Sequence, residues 1–504
     1  MKYFFKQCLP YFFIWAFLIA LFYGTGYNRN WSFWADQELT LGYNGLLINS
    51  GLNQEYVDHP GFFSIHLIAL ILKASNFLGL SDISNITQFN QAPTIFDAMR
   101  YLVISARHAA LVSTLVLVSG IYYLSNKIFK STFIALLVAF LAFISNGVFY
   151  HFTAMRTEPI AFMFLMLALY YFIASYQKNT LKSYCLLQLC LFCFFCAALN
   201  KAQILVLAPF YFCWAAYFVP NAVSPEKESA HHIFFIFTAA LSYILLLFFY
   251  SPRSTGLGFI FNVLLVSFFN FLIAVIAINV RRYNTFIAIT IFNVCYLVAF
   301  LLVEFTSTQI NLGISIFGNI ADPMSMTRFL KGSESAFMAN PFSSDGLLNT
   351  LNFLISPLVE TFGKFSSPTL LIGFSVGYLI YYRHSITQKE WWFFGFTLAS
   401  FYIVNLVNKI RYIDNPHYRI FSEFFLFTFA LLLIYKMPQR TQKRTLSILI
   451  FLTLLANLVP YTNYYNWLIR KGSHPFCKSG LIQYHQQMDI KRIEAECAQP
   501  SSEQ

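Results

Sequence analysis

Long apolar runs separated by short polar turns make up most of this chain. A helix that crosses a bilayer needs roughly 17 to 25 apolar residues, and the runs divide into about thirteen such spans, with a range of roughly 11 to 14. The predicted spans are 9–24, 101–124, 132–150, 159–176, 184–200, 203–219, 233–250, 257–280, 284–303, 367–382, 391–408, 418–435 and 446–460. The pattern therefore predicts an all-α, polytopic membrane protein.

The composition supports this class. Hydrophobic residues make up 58% of the chain and charged residues 11%, and the mean hydropathy is +0.59, whereas soluble domains carry about 25% charged residues. The 33 Lys and Arg outnumber the 21 Asp and Glu. These cations lie in small groups between apolar runs, not on one soluble face, which argues against nucleic acid as a partner and favours membrane lipids and phosphate.

The charge of the turns predicts how the chain is oriented. Lys and Arg concentrate in alternate turns, which the positive-inside rule assigns to the cytoplasm. These residues are Lys2, Lys6, Lys127, Lys130, Lys178, Lys182, Lys227, Arg281, Arg282, Arg383, Lys389, Lys436, Arg440, Lys443 and Arg444. The amino terminus is then cytoplasmic and the carboxyl terminus outside. The first span lacks a small-residue cleavage site, so we expect a retained helix and not a removed signal peptide.

Seven segments converge on the opposite, outer face. They are 25–98, 150–158, 200–201, 251–256, 304–366, 408–419 and 461–504. Within the first, the apolar stretch Gly61 to Leu80 predicts a helix that lies at the membrane interface. The sequence thus predicts a transmembrane domain at 1–460, whose outer loops 25–98 and 304–366 cover the site, and a short extracytoplasmic tail at 461–504.

An acidic pair, Asp36 and Glu38, follows the first span in a chain that is poor in carboxylates. Charge near a bilayer is costly, which favours a chemical role over a role in solubility. We predict a catalytic base here, and Asp36 is the first candidate; the alternative is a solvated loop carboxylate. His59 lies about twenty residues later, before Pro60, where a function and a structural turn contact are both open.

Two further groups of charged residues lie between spans on the outer face. His151 precedes the segment 156–159, in which Arg156 and Glu158 flank a threonine. Glu158 also suits the first turn of the following helix, so a helix-start role competes with a catalytic one. Lys201 lies between two apolar spans, where the alternative to a function is a side chain that reaches along the apolar surface to the interface.

The turn 408–419 carries cations on the face that the charge bias leaves poor in them. Its charged and aromatic residues are Lys409, Arg411, His417, Tyr418 and Arg419. A phosphate at the membrane surface would balance them through charge-assisted hydrogen bonds. The alternative is pairing with Asp414, Glu423 or lipid head groups.

These motifs together resemble those of the GT-C superfamily of integral-membrane glycosyltransferases. The chain is similar to the protein O-mannosyltransferases and to the bacterial enzymes that transfer 4-amino-arabinose to lipid A. The resemblance rests on four short motifs and their shared topology: the acidic pair Asp36 and Glu38, the step His59-Pro60, the turn Arg156-Thr157-Glu158, and the step His417-Tyr418-Arg419. It departs from the family where Gln37 separates the two acids and where Gly61 follows Pro60.

The resemblance implies a sugar carried on polyprenyl phosphate and moved, with inversion, to a lipid, glycan or protein acceptor outside the cytoplasm, in a bacterial inner membrane. A phosphate leaving group needs cations more than it needs a general acid, and the acceptor hydroxyl needs a base. Catalysis then falls to Asp36, Glu38 and Glu158, donor-phosphate binding to Lys201, Arg411, His417 and Arg419, and substrate positioning to His59, Arg156 and Tyr418.

Two further predictions concern metals and cysteines. Asp36, Glu158 and His59 could coordinate a divalent ion, but the related mannosyltransferases do without one, and we predict neither a metal nor a cofactor. Seven of the nine cysteines lie in or beside apolar spans as small hydrophobes. Cys477 and Cys497 lie in the tail, where the compartment permits a disulfide; two free thiols are the alternative.

The competing functional class is a transporter or flippase of a lipid-linked or anionic substrate. Transporters hold ionisable residues near the bilayer midplane, on broken helices related by an inverted repeat. Arg107 and His108 form the best candidate pair inside a span. Arg100 and Arg107 share one helical face near the outer end, which brings Arg107 nearer to the predicted site than to the midplane.

Overall fold

The computed structural model describes residues 2–27, 35–52, 54–55, 61–152, 154–175, 366–384, 386–409, 419–469 and 487–498, and single positions at 186–214, 355 and 359. All regular structure in these ranges is helical, and they contain no strand. The prediction of an all-α chain is therefore confirmed for the part of the chain that the structure describes. The predicted spans 233–250, 257–280 and 284–303 lie wholly outside the described residues, as does nearly all of 304–366.

The described helices are numbered in chain order. They are α1 (Lys2–Leu21, continued by a π-helical turn Phe22–Gly26), α2 (Ala35–Asn49), α3 (Phe62–Phe77), α4 (Ile86–Asn90), α5 (Ile95–Phe129), α6 (Thr132–Phe143), α7 (Asn146–Phe152), α8 (Glu158–Ser175), α9 (Ser367–Tyr381), α10 (Gln388–Lys409), α11 (Arg419–Tyr435), α12 (Gln439–Ile469) and α13 (Ile490–Ala498).

Two described segments are helical, long and apolar enough to cross a bilayer. They are Cys8–Thr25 and Ile95–Phe129, and four shorter apolar helices accompany them. The second span is longer than predicted: its 35 residues extend about 52 Å at 1.5 Å per residue. These apolar helices suggest association with a membrane.

The predicted single span 132–150 is wrong. Helix α6 ends at Phe143 and α7 begins at Asn146. At Gly147 the backbone of α7 meets that of α11 so closely that an added Cβ atom would lie 2.6 Å from the nitrogen and the Cα of Ile420. Glycine therefore permits the crossing, and the polar residues around it end the apolar run. His151 consequently lies in a helix and not in the predicted turn.

Helix α3 is the helix predicted for the stretch Gly61 to Leu80. It begins after Gly61, which has φ +60°, and it buries Ile65, Ile68 and Leu72 against α2 and α5. The contact with α2 is close, because an added Cβ at Gly45 would lie 3.3 Å from the nitrogen of Ala69. The helix that carries the predicted acidic pair is thereby fixed to the rest of the fold.

The chain beyond the predicted last span is partly helical. Helix α12 continues to Ile469, so the predicted boundary at 460 falls inside a helix. Helix α13 then lies at the start of α5, where the Glu496 carboxylate accepts hydrogen bonds from the Ile95 and Phe96 N–H groups at 2.9 to 3.2 Å. A carboxylate at a helix N-terminus is favourable because unpaired N–H groups and the helix dipole meet it there.

Residues before α13 also reach the helix of the acidic pair. The Gln487 N–H donates to the Tyr43 hydroxyl at 3.0 Å, and that hydroxyl donates to Glu55 Oε2 at 2.7 Å. Burial, and secondarily the bond to Glu55, raises the pKa of the Tyr43 phenol. The phenol therefore stays protonated and remains the donor at ordinary pH.

Three turns predicted to be cytoplasmic lie together. The Phe129 and Tyr435 rings pack with centroids 5.7 Å apart, Lys443 lies 5.6 Å from the centre of the Phe133 ring, and Lys436 pairs with Glu390. We call this region the basic end, defined by Lys127, Lys130, Lys436 and Lys443. The basic end thus joins the turns that connect α5 to α6, α9 to α10 and α11 to α12.

Candidate functional site

Glu38, in the first turns of α2, is buried against α5. Its Oε2 lies 3.5 Å from Nε of Arg107, and both side chains are almost fully buried. The Met155 N–H donates to Glu38 Oε1 at 3.3 Å. The ion pair joins α2 to the long apolar helix α5, so the carboxylate neutralises a guanidinium that would otherwise be buried at high cost.

Glu158, the first residue of α8, forms the second buried ion pair. Its Oε1 accepts a hydrogen bond from Lys201 Nζ at 2.7 Å, and its Oε2 lies 3.6 Å from Nε of Arg156. Glu158 and Lys201 are both inaccessible to solvent. His151, buried at the end of α7, adds a favourable electrostatic interaction with this carboxylate. Glu158 lies in the first turn of α8, the position that the helix-start alternative requires, and it also forms pairs that the sequence did not predict.

The short turn between α7 and α8 joins the two ion pairs. Its Met155 N–H contacts Glu38, and the next residue, Arg156, pairs with Glu158. We call the five residues Glu38, Arg107, Arg156, Glu158 and Lys201 the buried-charge cluster. Within this cluster each of the three cations pairs with one of the two carboxylates.

Asn200 connects this cluster to α3. Its side-chain amide donates to the Thr157 carbonyl at 2.6 Å and to Ser64 Oγ at 3.1 Å, while its Oδ1 accepts from the Ser64 N–H at 3.1 Å. Its own carbonyl accepts from the Gly61 N–H at 3.1 Å. The start of α3, the turn before α8 and the turn at 200–201 therefore meet around one buried amide.

The structure brings together Glu38, Arg156, Glu158 and Lys201, which were predicted as site residues from three separate segments. Asp36 is the second residue of α2, and its side chain lies outside the described residues. His59, Arg411, His417 and Tyr418 also lie outside them. Lys201 does not face a surface: its ammonium is fully buried against Glu158, so it can reach a donor phosphate only if that pair is shared or broken.

Arg419 starts α11 and is half-buried, one turn before Glu423 on the same helix. The Glu423 carboxylate is itself buried and accepts hydrogen bonds from the Gly147 N–H at 3.3 Å and from Ser367 Oγ at 3.4 Å. It thereby ties together α7, α9 and α11. The positive charge of Arg419 acts favourably on this carboxylate.

Sequence reasoning missed Arg107, Asn200 and Glu423 as members of these clusters. Arg107 had a recognisable signal, since it is a cation inside an apolar run, but nothing in the sequence identified Glu38 as its partner. A neutral amide such as Asn200 gives no such signal. Glu423 was considered only as one possible partner of the cations in the turn 408–419, and its contacts with α7 and α9 depend on the tertiary fold.

Four cysteines among the described residues are free thiols. Cys190, Cys193 and Cys196 are buried free thiols, as predicted, whereas Cys8 is exposed. The predicted pairing of Cys477 with Cys497 falls outside the described side chains. The part of the chain that the structure describes contains no group of three or more His, Cys, Asp or Glu side chains that could hold a metal ion.

Comparison of the chain with known protein families, with characterised proteins and with solved structures finds no match.

Proposed function

We propose that this chain is an integral-membrane glycosyltransferase of the GT-C type. It moves a sugar from polyprenyl phosphate to a lipid, glycan or protein acceptor at the outer face of a bacterial inner membrane, with inversion at the anomeric carbon. The observation that carries the proposal is the buried-charge cluster. It joins the start of α2 and the turn before α8, two segments whose motifs resemble those of this superfamily, to each other and to Lys201 through buried charged groups.

The chemistry assigns different tasks to the two acids of α2. Glu38 already pairs with Arg107 and accepts a hydrogen bond from Met155, so it holds a cation and the turn before α8. Removal of the acceptor proton is therefore assigned to Asp36, which lies two residues nearer the start of α2. A carboxylate general base contributes about 10² to 10⁴ in rate.

The departing phosphate requires positive charge that is already in position. Preorganised cations stabilise developing charge without reorganisation during the reaction. Arg107 and Arg156 supply such charge within the cluster, and Arg419 supplies it at the start of α11, with Arg411, His417 and Tyr418 nearby in the chain. Apolar helices beside the cluster would receive the lipid tail of the donor.

The test is transfer by the purified full-length protein with a panel of polyprenyl-phosphate sugars. Asp36→Asn should lower transfer by about 10² to 10⁴ while the protein remains folded. Glu390→Gln, which changes a carboxylate at the basic end, is the matched control and should leave transfer unchanged. If Glu38→Gln abolishes transfer and Asp36→Asn does not, Glu38 is the base. Full activity in both variants would refute the catalytic role of this segment.

Arg419 provides a second test of the same proposal. Arg binds two phosphate oxygens in a planar geometry that Lys does not reproduce. Arg419→Lys should raise the donor KM, and Arg419→Ala should raise it further, with little change in acceptor KM. Arg440→Ala, an exposed cation on α12, is the control. Unaltered donor kinetics in Arg419→Ala would leave Arg419 as a partner of Glu423.

One observation favours a second candidate, a transporter or flippase of a lipid-linked or anionic substrate. The interruption between α6 and α7 lies next to the buried Glu423, and interrupted helices with buried ionisable groups line transport sites. Proteoliposomes that contain a fluorescent polyprenyl-phosphate lipid distinguish the two functions. Movement of the lipid between leaflets without transfer of sugar would favour this candidate.

A further inference from the structure

Asn200 is the buried amide that links two segments of the proposed site. It is inaccessible to solvent, and its side chain uses both polar atoms: Nδ2 donates to Thr157 O and Ser64 Oγ, and Oδ1 accepts from the Ser64 N–H. Buried polar networks that are fully paired make a structure more rigid, whereas partly paired ones are costly. Loss of this side chain would leave the Thr157 carbonyl and the Ser64 N–H without these bonds.

The next residue, Lys201, continues the same contact. Asn200 binds the Thr157 carbonyl while Lys201 binds the Glu158 carboxylate at 2.7 Å. Two successive residues at the end of one helical segment thus hold two successive residues at the start of α8. Both contacts span 43 positions of sequence, so the start of α8 is fixed by tertiary contacts and not only by its own helix.

Gly61 brings the first outer segment to the same place. Its N–H donates to the Asn200 carbonyl, its φ is +60°, and an added Cβ would lie 3.1 Å from the Thr157 methyl group. Glycine adopts this left-handed conformation without strain and leaves space for Thr157. Gly61 directly follows His59 and Pro60 in the sequence, and the resemblance to GT-C enzymes assigns His59 to substrate positioning.

We infer that Asn200 is a positioning residue for the proposed sugar transfer, acting by holding the segment after His59 and Pro60 against the turn that carries Arg156 and Glu158. The inference rests on the proposed function. Asn200 itself does not touch the reacting atoms. It fixes the distance between the two segments, and a displacement of about 1 Å in such a site can cost about 10²-fold in rate.

The kinetic test compares Asn200→Ala with Asn457→Ala. Asn457 is also fully buried, and its amide donates to a backbone carbonyl, that of Ile144, at 2.9 Å. It has no assigned role in transfer. Well below the unfolding temperature of both variants, Asn200→Ala should lose about tenfold to 10²-fold in kcat with donor and acceptor KM changed less than about threefold. Asn457→Ala should keep the kcat of the wild-type protein.

Hydrogen exchange measures the same contact without activity. In Asn200→Ala the amides of 61–68 and 154–158 should exchange faster, because the Ser64 N–H loses its acceptor and the Thr157 carbonyl keeps only the Ala161 N–H as a donor. Asn457→Ala should leave both peptides unchanged. If Asn200→Ala does not fold, Ser64→Ala is the substitute, because it removes only the hydrogen bonds between the Ser64 hydroxyl and Asn200. It should show smaller losses in kcat and smaller increases in exchange at the same peptides.

The outcomes separate the two proposals. If the wild-type protein is active and Asn200→Ala keeps its kcat, or if exchange at 61–68 and 154–158 does not change, the positioning role is wrong and the proposed function stands. If the wild-type protein transfers no sugar from any donor, the proposed function is wrong and the role of Asn200 in transfer falls with it. Exchange then decides whether Asn200 joins the two segments.

Discussion

The two ends of the described helices handle charge in opposite ways. In the buried-charge cluster, the Lys201 and Glu158 side chains are both 0% exposed. At the basic end, the side chains of the pair Lys436 and Glu390 are 43% and 18% exposed. One end keeps its cations out of solvent and balances them with carboxylates, and the other leaves them at the surface.

The charges of the buried-charge cluster therefore reduce the stability of the fold unless they are paired, whereas those at the basic end have little effect on it. Removing an ion from water costs several kcal/mol, which only close pairing and further hydrogen bonds repay. Exposed pairs contribute little, roughly 0 to 1 kcal/mol. Exposed lysines on one face are typical of proteins that follow the positive-inside rule. The buried Arg107, in contrast, needs a partner such as Glu38 to offset the cost of its burial.

The largest expected effect is the loss of Lys201. Lys201→Met should destabilise the protein by about 3 to 5 kcal/mol, since Glu158 would stay buried without its nearest cation. The double variant Lys201→Met/Glu158→Gln should recover part of that loss. Denaturant unfolding of the solubilised protein measures both. A cost for Lys201→Met as small as that for Lys436→Met at the basic end would remove the distinction between the two ends.

A second prediction concerns packing at the crossing of α7 and α11, where the two backbones approach closely at Gly147. Gly147→Ala should cost about 1 to 3 kcal/mol, because the new Cβ would force the backbones at Gly147 and Ile420 apart. Gly377→Ala is the matched control in α9, where nothing lies within 4 Å of an added Cβ. It should gain up to about 1 kcal/mol from helix propensity. Equal thermal unfolding of the two variants would show that α7 can move away from α11.

The contact between α13 and α5 has intermediate exposure and should have an intermediate cost. Glu496 is 17% exposed in its side chain and accepts N–H groups at the start of α5. Glu496→Gln keeps the shape and removes the charge, so it should cost about 1 kcal/mol. Glu494→Gln, an exposed acid on the same helix, is the control. A shift of similar size in both variants would mean that the charge at the start of α5 is unimportant.

The smallest expected effect is at Lys436. Lys436→Met should cost less than about 1 kcal/mol, and the coupling between Lys436 and Glu390 in a double-mutant cycle should decrease as salt is raised, because exposed charges are screened. The corresponding coupling between Lys201 and Glu158 should change much less with salt. A salt-insensitive coupling at Lys436 would show that this pair is shielded from solvent.

The sequence predicted the helical class and several site residues because the signals were local. Long apolar runs mark helices, and carboxylates such as Glu38 and Glu158 are conspicuous where charged residues are rare. Their partners were not predictable in this way. The pairing of Glu38 with Arg107 and the bridge made by Asn200 depend on helices that are distant in sequence, and a neutral amide in an apolar run has no distinctive pattern.

The interruption between α6 and α7 shows the same limit. Residues 132–150 are apolar enough to read as one span, and hydropathy averages over the few polar positions near Gly147. The close approach of Ile420 is what makes the interruption stable, and that contact involves a residue far along the chain. The hydropathy of a short stretch of sequence therefore cannot predict the contact between Gly147 and Ile420.

The docking of α13 on α5 gives this protein a late step in its biosynthesis. The carboxylate that meets the Ile95 N–H is 401 positions further along the chain. At a synthesis rate of about 5 to 20 residues per second, roughly 20 to 80 s pass between the appearance of the two residues. During that interval the N–H groups of Ile95 and Phe96 lack the Glu496 carboxylate, so the start of α5 completes its hydrogen bonding only after α13 has been made.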